Sequence, residues 1–181
     1  MVKKQKMFKK KILVVLGGNS KEREISIKTG KACIDAIKRL GYKVWEFDPK
    51  KKSFLDLKKD EPDIIFNALH GEEGEDGFAQ IFFEFAKIPY THSGVLSSMN
   101  AMNKLISKKI FIKNKIKVPL YDFINKEKYI ASKFEKNIKV KKLKFPLVVK
   151  PNNEGSSIGV KICKNLLTLR KNIKYLFKTY D

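Results

Sequence analysis

The stretch Ile12-Leu-Val-Val-Leu-Gly-Gly-Asn-Ser-Lys-Glu-Arg-Glu-Ile-Ser26 decides the fold. Residues 12–16 are five apolar residues in a row, which is the length of a buried strand and too short for a buried helix. Gly17-Gly18-Asn19 breaks the run. The chain then takes on helical periodicity, with Ile25, Cys33, Ala36, Ile37 and Leu40 expected on one side and Gly41 as the stop. A strand that is apolar throughout needs cover on both faces, which is the situation of strands in parallel sheets.

The alternation continues downstream. Residues 44–47 read as a second strand, closed by Asp48-Pro49, and residues 63–69 as a third, ending at His70-Gly71. Residues 78–87 form a phenylalanine-rich helix and residues 88–91 a short strand. The class is therefore α/β, with an open, mainly parallel sheet. In such sheets ligands gather beyond the carboxyl ends of the strands, where the two glycine-bearing loops after Leu16 and Leu69 lie. From about Asn103 the character changes. A basic amphipathic helix over residues 104–114 leads to Val118-Pro119 and a lysine-rich helical stretch. A strand over 145–150, a loop over 151–158, a strand over 159–163 and a helix from Asn165 complete the opening of a second domain.

Composition narrows the function classes. The chain has 181 residues, 43% of them apolar, and a net charge of +21. Such a charge points to nucleic acid, but of 40 basic residues only Arg23, Arg39 and Arg170 are arginines. Base-edge and bidentate phosphate recognition favours the arginine fork, and the lysines run from Lys3 to Lys178 without gathering in a stripe. No nucleic-acid partner is expected. Cys33 and Cys163 stand alone without CxxC spacing, which fits a reducing compartment. The apolar run after the basic start is too short for a signal-peptide core. No stretch approaches the roughly 20 apolar residues of a membrane span. The expected location is the cytoplasm.

Three loops carry the chemistry. The first, Gly17-Gly-Asn-Ser-Lys-Glu-Arg-Glu24, sits where a helix N-terminus would attract an anion, yet Glu22 and Glu24 stand there. They either complement the helix dipole or present a carboxylate to a cationic ligand such as an amino acid's ammonium. The loop lacks GxGxxG, so dinucleotide binding is not expected. The second loop is His70-Gly-Glu-Glu-Gly-Glu-Asp-Gly77. His70 is either a general base or polar donor, or a structural, helix-capping histidine. His92 is the only other histidine, so no metal site is expected. The third loop, Lys150-Pro-Asn-Asn-Glu-Gly-Ser-Ser-Ile-Gly159, is either an ordinary turn or a flap whose ammonium, hydroxyls and N–H groups close over phosphate. It is not a P-loop.

Together the three loops resemble the D-alanine–D-alanine ligase family of ATP-grasp enzymes. The matching text also includes Pro89-Tyr-Thr-His-Ser-Gly-Val95 and Met102-Asn-Lys104. The resemblance implies a Rossmann-like substrate domain over residues 1–102 and the first part of an α+β ATP-grasp domain over 103–181. It also implies ATP-dependent joining of two D-alanines through an acyl phosphate, for peptidoglycan precursors. Glu22 looks like the carboxylate that holds the first D-alanine's ammonium, and His70 like the histidine lining that site. Lys104 and Lys150 look like the pair gripping the ATP phosphates under the Gly155-Ser156-Ser157 flap, and Ser156 like the serine that bonds back to Glu22. The adenine-binding segment, the oxyanion arginine and the Mg²⁺ ligands are expected beyond position 181, so the chain reads as an N-terminal fragment inactive by itself. The family is commonly dimeric through its N-terminal domain, which leaves a homodimer open. Two alternatives remain: a related ATP-grasp ligase of the D-alanyl-D-lactate type, and a non-catalytic basic binding module, separable by whether the chain retains DNA with a steep salt dependence.

Overall fold

The computed structural model describes residues 10–131 and 143–180. The basic start and most of the lysine-rich stretch before Phe145 lie outside the described residues. Two compact units divide the chain, Met1–Ala101 and Met102–Asp181.

In the first unit β1 (Lys11–Val15) is the central strand, flanked by β2 (Lys43–Phe47) and β3 (Ile64–Asn67). Both pairings are parallel, with Ile12 opposite Val44 on one side and Ile64 on the other. The expected fourth strand is reduced to a parallel bridge between Ile65 and Tyr90. Alternate residues of β1 explain why it is apolar throughout. Leu13 and Val15 enter a core with Phe47, Phe83 and Ala86, while Val14 and Leu16 enter another with Ile34 and Ile37. One face is covered by α1 (Arg23–Arg39) and the other by α2 (Phe78–Phe85).

The structure corrects two expectations. The inner face of α1 is Ser26, Gly30, Ile34 and Ile37, whereas Ile25 and Leu40 are 50% and 67% exposed. The small residues lie inward because the helix starts close against the strand ends, where Ser26 makes hydrogen bonds rather than apolar contacts. The third strand also stops at Asn67. Ala68 and Leu69 are buried but already belong to the loop. A helix unforeseen in the sequence, α3 (Val95–Met102), follows the Ser93-Gly94 turn.

In the second unit α4 (Lys104–Lys113) and α5 (Lys126–Ala131) precede an antiparallel pair, β4 (Leu147–Val149) and β5 (Lys161–Cys163). The last helix, α6 (Leu166–Thr179), starts at a capping box. Asn165 Oδ1 accepts from Thr168 N at 2.9 Å, and Thr168 Oγ1 accepts from Asn165 N at 3.2 Å. Cys163, Leu169 and Ile173 form its core, with Leu147 and Val149 packed against them. Among the described residues no helix is long and apolar enough to cross a membrane.

Candidate functional site

The first and second loops meet at the carboxyl ends of β1 and β3. Ser26, fully buried, joins them: its hydroxyl accepts from Gly17 N at 2.8 Å and donates to Ala68 O at 2.7 Å. Ser20 makes a second join. Its hydroxyl donates to His70 O at 2.7 Å and accepts from Glu22 N at 3.1 Å. Asn67 and Gln80 then hold the second loop from below, both donating side-chain N–H to Gly74 O, at 3.0 and 2.9 Å.

Glu22 sits between these loops at the N-cap of α1 and is 7% exposed, yet its side chain makes no capping hydrogen bond. Its Oε2 lies so close to Gly71 that a Cβ there would come within 2.5 Å of it, and Gly71 has φ +70°. A glycine is needed on both counts. The positive end of α1 favours the Glu22 charge, and an ammonium would pair with it directly. His70 Nε2 is 3.3 Å from Thr29 Oγ1, and its Nδ1 is 4.0 Å from Glu75 Oε1.

A cleft of about 340 Å³ opens beside His70, lined also by Thr29, Cys33, Asn67, Gln80 and His92. Gln80 Oε1 has no hydrogen-bond partner among the described residues. Glu22 does not line this cleft. Among the described residues its carboxylate has no ion-pair or hydrogen-bond partner.

Arg23 and Asp48 complete the first loop, and sequence reasoning missed their pairing. Arg23 Nη1 and Nη2 reach Asp48 Oδ1 and Oδ2 at 3.0 and 2.7 Å, and Nη1 also donates to Gly18 O at 2.8 Å. Asp48 Oδ1 accepts from Gly18 N at 3.1 Å and Lys50 N at 3.0 Å. The Arg23 guanidinium, followed by these two N–H groups, holds the Asp48 carboxyl down to about 2 against burial; the same partner raises Arg23.

The second unit brings Lys104, Lys150 and the third loop together. The first three N–H groups of α4 are all satisfied: Lys104 N by Asn152 O at 3.2 Å, Leu105 N by Asn152 Oδ1 at 3.0 Å, and Ile106 N by Asn103 Oδ1 at 2.9 Å. This helix start therefore has no free amides for an anion. The Lys104 ammonium donates to Asn152 O and Glu154 O. Burial lowers its pKa, and the neighbouring Lys150 charge lowers it further. In the flap, Ser156 and Ser157 have φ of 44° and 63°. Ile158 N bonds Gly155 O at 2.8 Å and Val160 N bonds Ser157 O at 3.2 Å, while the amides of Gly155, Ser156 and Ser157 donate to nothing among the described residues. An ammonium that feels a second lysine's charge, with three amides that donate to nothing among the described residues, is chemistry that suits a polyanion such as a nucleotide's phosphates. Glu22 and Ser156 belong to different units. Among the described residues no three His, Cys, Asp or Glu side chains are grouped to hold a metal ion, so no Mg²⁺ site is assigned to them.

A parallel α/β unit with a buried carboxylate between strand-end loops is followed by a second unit bearing a lysine and a Gly-Ser-Ser loop, the two-part plan that the resemblance to ATP-grasp ligases implies. A family model described as D-ala D-ala ligase C-terminus matches residues 110–181. The D-alanine--D-alanine ligase of Pelagibacter ubique is 52% identical over 175 residues, 95% of this chain and 55% of that protein. The crystal structure of the Bacillus anthracis D-alanine--D-alanine ligase matches with TM-score 0.81 and 37% identity, over 94% of this chain and 54% of that one. The same enzyme complexed with ATP matches with TM-score 0.73 and 33% identity, over 94% and 55%. Over nearly its whole length the chain is similar to D-alanine--D-alanine ligases. It spans about half the length of the curated relatives it matches.

Proposed function

We propose that the chain carries the first D-alanine site and the phosphate-gripping part of an ATP-dependent ligase that joins two D-alanines in the cytoplasm. The observation that carries this reading is Glu22: buried, its carboxylate without a hydrogen-bond partner among the described residues, and framed by Ser20, Gly71 and the start of α1. A carboxylate so placed is completed by one ammonium, and a free amino acid has one. His70, fixed through its carbonyl by Ser20 and touching Thr29, supplies a polar wall for the substrate. Lys104 and Lys150 hold the phosphates of ATP, and the free amides of Gly155, Ser156 and Ser157 close over their oxygens.

A D-alanine carboxylate has no competent leaving group. Bound ATP supplies the phosphoryl group that makes it an acyl phosphate, open to attack by the amine of the second D-alanine. The chain's own residues orient this chemistry: Glu22 fixes the first substrate by its ammonium end, and the lysines offset phosphate charge.

The test is titration of the isotope-labelled chain with D-alanine, ATP and adenosine, followed by NMR. Glu22→Gln is expected to weaken D-alanine roughly ten- to a hundredfold, the worth of one charged hydrogen bond, and to leave ATP unchanged. Lys104→Ala and Lys150→Ala are expected to weaken ATP far more than adenosine, with the surface control Lys51→Ala near neutral. Equal D-alanine affinity in the Glu22→Gln chain, or equal losses for ATP and adenosine, would remove the assignment concerned.

A further inference from the structure

From the geometry of the first loop we infer that the Arg23–Asp48 ion pair is a positioning device for Glu22; this rests on the reading of Glu22 as the ammonium-binding carboxylate. Arg23 is the first helical residue of α1, immediately after Glu22. A cation at that end of a helix opposes the dipole, so helix formation does not account for it. What accounts for it is a bidentate pair with Asp48, at 3.0 and 2.7 Å, whose two side chains are only 19% and 8% exposed.

The pair grips the loop ahead of Glu22 as well as behind it. Gly18 is held at both polar atoms, its carbonyl by Arg23 and its N–H by Asp48. Gly17 has φ +83°, and a Cβ there would come within 2.7 Å of both Arg23 Nη1 and Asp48 Oδ1, so the glycine turn is shaped around the pair. Asp48 itself is anchored at the end of β2 by Lys50 N, with Lys51 N and Lys52 N bonding its carbonyl at 2.9 and 3.0 Å. Among the described residues Glu22 has no hydrogen bond to fix its carboxylate, so its aim depends on the backbone at residues 17–23. Ser26 also ties the two sides of Glu22, through Gly17 N, but among the described residues the Arg23–Asp48 pair is the ionic contact that holds both polar atoms of Gly18 ahead of Glu22 and the side chain of the residue directly behind it. Neither Arg23 nor Asp48 needs to touch the substrate.

The experiment compares the unmodified chain with Arg23→Lys, Asp48→Asn, Glu22→Gln and the double variant Arg23→Lys/Glu22→Gln, each in the full 181-residue chain. Lysine keeps the charge but loses the bidentate geometry. Asparagine keeps an acceptor for Gly18 and Lys50 but loses the ion pair, and serves if the arginine variant does not fold. The expected result is D-alanine binding about tenfold weaker in either single variant, with ATP binding unchanged, and no further loss when Arg23→Lys is added to Glu22→Gln, because the two then act through one interaction. A lowered Tm with unchanged D-alanine affinity would make the pair merely structural and overturn the inference. If Glu22→Gln leaves D-alanine binding intact, the reading of Glu22 fails separately. The pair is then judged by the Glu22 carboxyl ¹³C and Gly71 amide resonances, which are expected to move in Arg23→Lys and whose constancy overturns the positioning role.

Discussion

The Asp48 carboxylate accepts from Arg23, Gly18 and Lys50, and the first of these is the largest cause of its fall from 3.8 to about 2. A depressed carboxyl stabilises the fold above its unfolded pKa and loses that contribution as pH falls through the folded one. The window here runs from about 4 down to about 2. Asp48→Asn is therefore expected to be less stable than the unmodified chain at pH 7, by about 2 kcal/mol, and to converge with it towards pH 2. Because other carboxylates titrate in the same range, the quantity to measure is the difference between the two Tm profiles. A difference that stays constant from pH 6 to pH 2 would show that the pair contributes nothing through its charge. At this scale the sequence was only partly legible. Glu22 and His70 could be read as candidates because each lies in a glycine-bearing loop that directly follows a strand, a pattern local to the chain. Asp48 lies 25 positions from Arg23 and meets it only because β2 pairs with β1, Val15 opposite Phe47. The one local signal was an arginine at the unfavourable end of a helix dipole, which implied an acid nearby.

Among the elements, α4 and the third loop show how a flap can be held at its base and left open at its tip. Asn152 supplies both its carbonyl and its Oδ1 to the start of α4. Its removal is expected to act as the loss of a helix cap, about 1 kcal/mol. In Asn152→Ala the Leu105 amide should exchange faster while Ile106, capped by Asn103, changes little; Asn152→Asp, which keeps the acceptor, should restore it. Uniform acceleration along α4 would instead mean that the loop does not hold this helix end. The elements were legible where pattern and packing agree: β1 is apolar throughout because both its faces are covered, and α6 announces itself by the Asn165 and Thr168 cap. They were illegible where small or polar residues are inside. Ser26 and Gly30 displaced the expected inner face of α1, and α3 buries only Ser98, leaving almost no apolar stripe to read.

Across the whole molecule the two units differ in how their sheets are built. In the first, β1 is bonded on both sides and Leu13, Val14 and Val15 are completely buried between two helical layers. In the second, β4 and β5 are three residues each and, among the described residues, paired only with one another, with Val148 and Ile162 59% and 68% exposed. Exchange of a buried amide requires local or global opening, and the free energy of opening follows the apolar contacts that must be broken. The Leu13, Val14 and Val15 amides are therefore expected to exchange at least about a hundredfold more slowly than those of β4 and β5, a gap of about 3 kcal/mol. Salt separates this from charge repulsion. Of the net charge of +21, residues 102–181 carry +16 and residues 1–101 only +5, so raising ionic strength should slow exchange chiefly in the second unit and narrow the gap without closing it, because screening acts on exposed lysines and not on buried contacts. The measurement is hydrogen exchange of the 181-residue chain at low and high salt. Equal protection of β1 and β4, or a gap that vanishes in salt, would mean that charge rather than the two cores sets the local stability.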